Sequence, residues 1–215
     1  MTVYGIVAGG PKALLPCLKD QQVDYWIGCD RGCLYILEAG LTLLQAIGDF
    51  DSVSIEERQL IEKHAKHMQV FPVDKDDSDL ELAVKTLSRQ PEDKLIFYGI
   101  TGGRLDHTLV NIALLKRLIK QGINAKMIDR YHTIDIYLPG VHQLQLDPAR
   151  YISILPATEQ VVGVSLEGFK YPLVDATLEE GSSLTLSNHL LSTRGSISFK
   201  TGILIVISAE ESQTF

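Results

Sequence analysis

Acidic residues recur through the first half of the chain, each time just after a short apolar run. The densest groups are Gly48-Asp49-Phe50-Asp51-Ser52, Asp74-Lys75-Asp76-Asp77-Ser78-Asp79 and Thr101-Gly102-Gly103-Arg104-Leu105-Asp106-His107, and Gly9-Gly10 and Asp30 precede them. Carboxylates drawn from several loops suit Mg²⁺, which usually takes one or two of them plus substrate phosphates. Glycines let backbone N–H groups approach phosphate oxygens. Together with the positive charge of Lys75, Arg104 and His107, these residues predict metal–phosphate chemistry.

The aspartates also have an interpretation that requires no ligand. Asp at the start of a helix stabilises its N-terminus without any ligand, and this explanation is strongest for Asp74 and Asp77. It is weaker for Asp49 and Asp51, because the pattern G-D-x-D-S places both carboxylates on one side of an extended segment. Two carboxylates ~4 Å apart repel each other by about 4 kcal/mol near a protein surface. A cluster of them therefore favours a bound cation or partial protonation.

The elements that carry these groups alternate between strand and helix patterns over residues 1–129. Apolar runs predict strands over residues 3–8, 25–29, 43–47, 69–73, 95–100 and 125–128, and helical patterns cover residues 11–18, 33–39 and 106–121. Two more helices begin at Ser54 and Ser78, each followed by Glu three positions later in a capping box. The sequence therefore predicts an α/β, doubly wound, mostly parallel sheet, whose strand carboxyl ends bring the acidic loops to one edge.

Residues 130–215 follow a different pattern. Strands are predicted over residues 131–138, 142–146, 151–155, 161–166, 183–187, 196–200 and 202–208, with turn signals such as Pro139-Gly140 between them. No helix is predicted. This second domain is expected to be a smaller, all-β antiparallel sandwich.

Composition and missing motifs narrow the function classes. The net charge of −7 argues against a nucleic-acid-binding protein, which normally carries a basic face. Three cysteines without regular spacing argue against a disulfide framework. Neither a signal peptide nor an apolar stretch of about 20 residues is evident. The sequence therefore predicts a cytoplasmic protein without membrane association. The Walker A pattern, a G-x-G-x-x-G turn after the first strand and a G-x-S-x-G elbow are all missing.

The three acidic motifs, with Asn111 after the last, resemble in order and spacing those of the thiamine pyrophosphokinases. In the second half, Gly168-Phe169-Lys170-Tyr171-Pro172-Leu173 and Ser187-Asn188 look like that family's thiamine-side motifs, so the resemblance covers nearly the whole chain. Two positions depart from the family pattern. Asp30-Arg31-Gly32 stands where Asp-Gly-Gly is common, and Ser78 stands where Thr is common.

The resemblance implies an enzyme, a thiamine diphosphokinase, that transfers the pyrophosphoryl group of ATP to the hydroxyl of thiamine and releases AMP. It implies Mg²⁺ as cofactor and ATP as co-substrate. It also implies a homodimer whose active site lies between the α/β domain of one subunit and the β-sandwich domain of the other.

Roles for single residues follow from the same resemblance. The catalytic set is Asp49, Asp51, Asp76, Asp79 and Asp106, of which Asp49, Asp51 and Asp79 hold the metal and either Asp76 or Asp106 accepts the hydroxyl proton. The nucleotide and its phosphates are expected at Asp30, Lys75, Arg104, His107 and Asn111. Ser187 and Asn188 are expected to recognise the aminopyrimidine of thiamine.

Three other functions remain open at this stage. One is a diphosphokinase that acts on a different alcohol, such as a pterin. Another is a sensor that binds a nucleotide or thiamine diphosphate without turnover, although a protein that only binds has no need of so costly a cluster of carboxylates. The third is a metal-dependent phosphohydrolase.

Overall fold

A computed structural model describes residues 1–210 of the chain. The chain divides into two compact units, Met1–Arg130 and a second unit that begins at Tyr131. Each unit builds its own layers, and the acidic motifs all fall in the first.

The first unit is a parallel sheet of six strands. They are β1 (Val3–Val7), β2 (Tyr25–Cys29), β3 (Leu43–Gly48), β4 (His67–Val70), β5 (Lys94–Tyr98) and β6 (Asn124–Ile128). Their spatial order is β4-β3-β2-β1-β5-β6, so the direction of winding reverses between β1 and β5. In open parallel sheets, ligands bind beside such a reversal, at the carboxyl ends of the strands.

Four helices connect these strands: α1 (Gly32–Glu38), α2 (Ile55–His64), α3 (Asp79–Thr86) and α4 (Leu105–Lys120). Both predicted capping boxes form, at Ser54 with Glu57 and at Ser78 with Glu81. Gly122 has a positive φ just past α4, as expected for a glycine that ends a helix. On one face of the sheet α1 packs with α2 over a core that includes Trp26, and α3 contacts β2 and β3.

Two elements of the first unit differ from the prediction. Residues 11–18 do not form a helix; two short 3₁₀ turns, Lys12–Leu14 and Leu18–Asp20, lie there instead. Pro16 explains the break, because the residue before a proline is driven to extended backbone, and Leu15 has ψ 136°. Strand β4 ends at Val70, earlier than predicted, because Pro72 follows and lacks the N–H that a further ladder bond would need.

The second unit is all-β within the described residues. Its strands are β7 (His132–Tyr137), β8 (Gly140–Gln145), β9 (Tyr151–Pro156), β10 (Gln160–Glu167), β11 (Leu173–Glu179), β12 (Arg194–Phe199) and β13 (Leu204–Ala209). They pair antiparallel in two groups, β7-β13-β9 and β11-β10-β12-β8. Their inward side chains share one core, to which Ile154 and Val206 contribute from one group and Val164 and Ile197 from the other.

One predicted strand of this unit is wrong and one was missed. Residues 183–187 form a turn, and Leu173–Glu179 forms β11. Strand β11 lies at a sheet edge and buries only Leu178, while Val174 is largely exposed. Its register shifts against β10, and Asp175 has φ 49°. A strand that is bulged and mostly solvated lacks the alternation on which strand prediction depends.

Candidate active site

The loops at the carboxyl ends of the parallel strands enclose a cavity of about 760 Å³. Residues 8–11, 75–80 and 102–104 line it, together with Asp30, Asp49, His107 and Asn111. The position matches the winding reversal, since the N–H of Gly10 after β1 donates to the carbonyl of Gly99 after β5 at 2.8 Å. The fold thus brings to one cavity most of the residues that the sequence predicted, although they are spread over some 80 positions of the chain.

Asp30 follows β2 in a constrained backbone. Its φ is 47°, in the left-handed region, and its Oδ1 accepts a hydrogen bond of 3.0 Å from the N–H of Phe50. That oxygen lies so near Gly48 that a Cβ there would come within 1.9 Å of it. Gly48 is therefore required for the Gly48-Asp49-Phe50-Asp51-Ser52 loop to fold against Asp30.

Lys75 joins two of the aspartates. Its Nζ lies 2.9 Å from Oδ2 of Asp49 and 2.8 Å from Oδ1 of Asp79, and all three side chains are largely buried. Burial alone disfavours the charged ammonium, yet the contacts with Asp79 and Asp49 outweigh burial and raise the pKa of Lys75. Lys75 thus stays protonated and holds the loops after β3 and β4 together.

Asp30, Asp49 and Asp51 form a carboxylate trio. Each offers an oxygen, and these three oxygens lie within 4.8 Å of one another. Burial, followed by a hydrogen bond with Asp79 and the charge of that residue, raises the pKa of Asp30 from 3.8 to about 7. The charge of Asp49 raises the pKa of the exposed Asp51. Burial opposes ionisation of Asp49, yet the hydrogen bond from Lys75 outweighs it and lowers the pKa of that carboxyl.

Asp79 is the first residue of α3 and follows the N-cap of that helix. Ser78 is the N-cap and accepts from the N–H of Glu81, and the Cys29 thiol donates to the carbonyl of Asp79 at 3.6 Å. Asp76 and Asp77 precede the cap on the cavity wall, and Asp77 also pairs with Lys85. The sequence grouped Asp79 with Asp49 and Asp51 as metal ligands, whereas in the structure Asp30 completes the close trio and Asp79 pairs with Lys75.

The loop after β5 and the start of α4 supply the remaining predicted residues. Arg104 and Asp106 form an exposed ion pair of 2.6 Å, and the hydrogen bond from Arg104 lowers the pKa of Asp106. Arg104 lines the cavity with His107, whereas Asp106 is not part of its wall. Asn111 Nδ2 donates to the carbonyl of Ile100 at 3.0 Å, which fixes the end of β5 against α4.

Ser187 and Asn188 lie in the second unit and differ in their surroundings. Asn188 is 2% exposed, and its amide is engaged by backbone: Oδ1 accepts from the N–H of Tyr171 at 3.0 Å, and Nδ2 donates to the carbonyl of Tyr171 at 2.8 Å. Asn188 therefore holds the segment that begins at Gly168. Ser187 is exposed, has φ 52°, and its backbone N–H donates to the hydroxyl of Ser153 at 3.1 Å.

The chain matches two family models that together span most of its length. These are the catalytic domain of thiamin pyrophosphokinase over residues 19–127 and the vitamin B1 binding domain of thiamin pyrophosphokinase over residues 133–204. The chain is also 42% identical over 215 residues to the thiamine pyrophosphokinase of Bacillus subtilis (strain 168), covering 98% of this chain and 100% of that protein. The chain belongs to the thiamine pyrophosphokinase family.

Solved structures of the thiamine pyrophosphokinase family agree in fold. The crystal structure of the Bacillus subtilis thiamine pyrophosphokinase superposes with a TM-score of 0.89 at 41% identity and covers 98% of this chain and 100% of its own. That of the Geobacillus thermodenitrificans thiamin pyrophosphokinase superposes with a TM-score of 0.85 at 35% identity and covers all of both chains. The resemblance inferred from the acidic motifs and the fold class are thereby confirmed.

Three residues around this pyrophosphokinase site were missed by the sequence reasoning. Asp129, buried just after β6, accepts a hydrogen bond of 2.7 Å from Thr101 and so anchors the Gly102-Gly103 turn. Its place after a strand was the signal that could have revealed it. The Tyr35 hydroxyl donates to the carbonyl of Gly10 at 3.2 Å, and Arg31 donates to the carbonyl of Ser52. Tyr35 lies within a helix and Arg31 departs from the family pattern, so neither gave a signal.

Among the helices of residues 1–210, none is long and apolar enough to cross a membrane.

Proposed function

We propose that this chain transfers the pyrophosphoryl group of ATP to the hydroxyl of thiamine, giving thiamine diphosphate and AMP, with Mg²⁺ as cofactor. The observation that carries the proposal is a cavity lined by Asp30, Asp49, Lys75 and two glycine turns, in a chain of this family. Asp51 is not part of the cavity wall but completes the carboxylate trio with Asp30 and Asp49. Little covalent work is asked of the protein in such a transfer. Positioning the two substrates and neutralising the phosphate charge do most of it.

The donor set fits Mg²⁺. The trio offers three hard oxygens from two loops within one small sphere. Burial and then Asp79 raise the pKa of Asp30, and the charge of Asp49 raises that of Asp51, so a cation there would favour the ionised form of both. We assign Asp30, Asp49 and Asp51 to hold the ion directly or through water, with Asp79 joined to them by Lys75. When bound, Mg²⁺ would neutralise charge on the phosphate oxygens.

The phosphates themselves need donors, and the cavity offers backbone and cationic ones. Gly102 and Gly103 have φ values of 78° and 65°, which side-chain-bearing residues rarely adopt. At Gly10 a Cβ would meet the carbonyl of Gly99 at 2.4 Å. Because the N–H of Gly10 already donates to Gly99, the backbone N–H groups proposed to meet the phosphates are those of the Gly102-Gly103 turn. Lys75 and Arg104 add charge that binds triphosphate oxygens.

Of the two aspartates considered as proton acceptor, Asp76 fits better. Asp76 lines the cavity, whereas Asp106 lies outside its wall in an ion pair that lowers its pKa. A carboxylate that is already stabilised as an ion is a weaker base. Asp76 is therefore proposed to accept the proton of the attacking hydroxyl, and Asp106 to orient Arg104.

Thiamine is proposed to bind at the second unit, with Ser187 in contact with its aminopyrimidine and Asn188 as a positioning residue for the segment from Gly168. The functional form is proposed to be a cytoplasmic homodimer in which the second unit of the partner subunit completes each site. Leu105, Leu109 and Val110 on α4 are more than half exposed, as is common for side chains that a partner covers. Light scattering should give twice the chain mass, and activity per chain should fall on dilution; a fully active monomer would contradict the dimer.

Product analysis tests the function. Purified protein is incubated with thiamine, ATP and Mg²⁺, and nucleotides and thiamine esters are separated. Thiamine diphosphate and AMP in equal amounts, both missing when EDTA is added, support pyrophosphoryl transfer. ADP with thiamine monophosphate would instead indicate a single-phosphoryl kinase. Inorganic phosphate without a thiamine ester would indicate a hydrolase.

A further inference from the structure

One arginine beside the carboxylate trio bridges two segments of the acidic site. Arg31 directly follows Asp30 and is the N-cap of α1. Its Nη2 donates to the carbonyl of Ser52, and its Nη1 lies 3.7 Å from Oε1 of Glu57 in the first turn of α2. The guanidinium therefore joins the end of β2 to the loop after β3, which carries the other two carboxylates of the trio.

The tip of that loop, Asp51 and Ser52, has few other restraints. Both residues are exposed, and the N–H of Asp51 donates to Oδ1 of Asp49 within the same loop at 3.1 Å. In the part of the chain that the structure describes, the only hydrogen bond that reaches this tip from another segment is the one that Arg31 donates to Ser52. The contact with Arg31 thus restrains the backbone that carries the Asp51 carboxylate.

The exposure of Arg31 separates this contact from the packing of the fold. Its side chain is 40% exposed, so a neutral side chain in its place leaves no buried cavity. Its ion pair with Glu57 is equally accessible, and exposed ion pairs contribute only about 0 to 1 kcal/mol to stability. We therefore expect Arg31 to matter little for folding.

We propose that Arg31 is a positioning residue that sets the affinity of the trio for its metal ion by holding the carboxylate of Asp51 in place. The proposal rests on the proposed function, in which the trio binds Mg²⁺. Groups that orient metal ligands without touching the metal change metal affinity or activity by roughly 10- to 100-fold when they are removed. A guanidinium suits this task because its rigid fork serves a carbonyl and a carboxylate at once.

The sign of the effect separates positioning from charge. A positive charge near the carboxylates repels an incoming cation, so its removal would tighten metal binding if charge alone mattered. If Arg31 positions Asp51, its removal instead frees the loop tip and weakens metal binding. The two explanations predict opposite changes in the dissociation constant of the metal.

Metal binding in the absence of substrates tests the proposal. Mn²⁺ stands in for Mg²⁺, and EPR of the unbound ion gives the dissociation constant. Arg31→Met should raise that constant about tenfold, and Arg31→Lys, which keeps the charge and one point of contact, should raise it about threefold. Lys63→Met is the matched control, because it removes a positive charge from the exposed last turn of α2, and its effect should stay within about twofold.

Stability and product formation decide between the outcomes. Thermal unfolding in EDTA should differ little between the wild-type chain and Arg31→Met. If the wild-type chain binds Mn²⁺ and forms product, an unchanged or lower dissociation constant in Arg31→Met would overturn the proposal and leave the proposed function intact. Should Arg31→Met fail to fold, an unchanged constant in Arg31→Lys would overturn it. A wild-type chain that binds no Mn²⁺ would refute both the metal site and this proposal.

Discussion

Replacing Asp30 by Asn should stabilise the metal-free protein in alkaline solution while removing activity. The folded chain raises the pKa of Asp30 from 3.8 to about 7, first through burial and then through Asp79. At pH 8 the wild-type chain must therefore carry a charge that its surroundings disfavour. Asn removes that charge and keeps an Oδ1 that can accept from the N–H of Phe50. Asn also tolerates the left-handed backbone at this position, where φ is 47°.

The magnitude follows from the pKa shift. A shift of three units corresponds to about 4 kcal/mol at 1.36 kcal/mol per unit, and since the carboxyl group is only partly buried we halve this to about 2 kcal/mol. In a chain of this size, that gain raises the melting temperature by roughly 4 to 8 °C.

The contribution of Asp30 to the stability of the folded chain depends on pH. The contribution of Asp30 to stability is most favourable below pH 3.8, where both states are protonated. It declines as the pH rises towards 7, because the unfolded chain has released a proton that the folded chain still binds. At pH 5 the unfolded carboxyl group is already mostly ionised while the folded one is neutral, so about 0.8 kcal/mol of the roughly 2 kcal/mol has been lost, and Asp30→Asn should gain less than half as much there as at pH 8.

Thermal unfolding of both proteins in EDTA, at pH 5 and at pH 8, measures this difference. Added Mg²⁺ should reduce the gain at pH 8, because a cation stabilises the ionised wild-type carboxylate and not the amide. Asp51→Asn is the matched control, since Asp51 belongs to the same trio but is exposed; its gain should be smaller. An equal gain at both pH values, or a loss at pH 8, would show that the charge of Asp30 is not the cause.

Three further outcomes are expected. Asp51→Asn should fold normally and lower kcat at least a hundredfold, as seen in a steady-state assay at saturating Mg²⁺; full activity would remove Asp51 from the metal set. Ser187→Ala should raise the KM for thiamine about tenfold with little change in kcat, and a fall in kcat alone would place its role elsewhere. Asn188→Ala should lower the unfolding free energy by about 2 to 4 kcal/mol, because it leaves the buried backbone groups of Tyr171 without partners; denaturant titration measures this, and an unchanged midpoint would contradict the positioning role.

Local sequence patterns predicted most of the helices and strands of the first unit. Ser54 and Ser78 start helices as predicted because a capping box satisfies backbone donors within four residues. The short strands were predictable because helices on both faces of the sheet make them continuously apolar. The errors arose where a proline decides the outcome, at Pro16 and Pro72, and at the edge strand β11, where little side-chain area is buried and no alternation is required.

The convergence of the acidic loops was likewise predictable, since a parallel sheet places all its strand ends on one side. Which carboxylates lie closest together within the cluster was not predictable from the sequence. The resemblance grouped Asp79 with Asp49 and Asp51, whereas the left-handed turns at Asp30 and Phe50 bring the Asp30 carboxylate into the trio. Such pairings depend on backbone angles and on the reach of Lys75, neither of which has a periodic signature in sequence.

Several features of the acidic site destabilise the protein when no ligand is bound. Asp30 and Phe50 both have left-handed backbone, a Cβ at Gly48 would collide with the Asp30 side chain, and burial followed by Asp79 raises the pKa of Asp30. Each feature destabilises the free protein, as is common at functional sites, and the proposed cation would stabilise the ionised carboxylates. If the trio served only to cap helices, neutralising Asp30 would bring no stability at pH 8, because a cap prefers the charged form. A gain in stability from Asp30→Asn at pH 8 would therefore exclude a helix-capping role for this carboxylate without any assay of turnover.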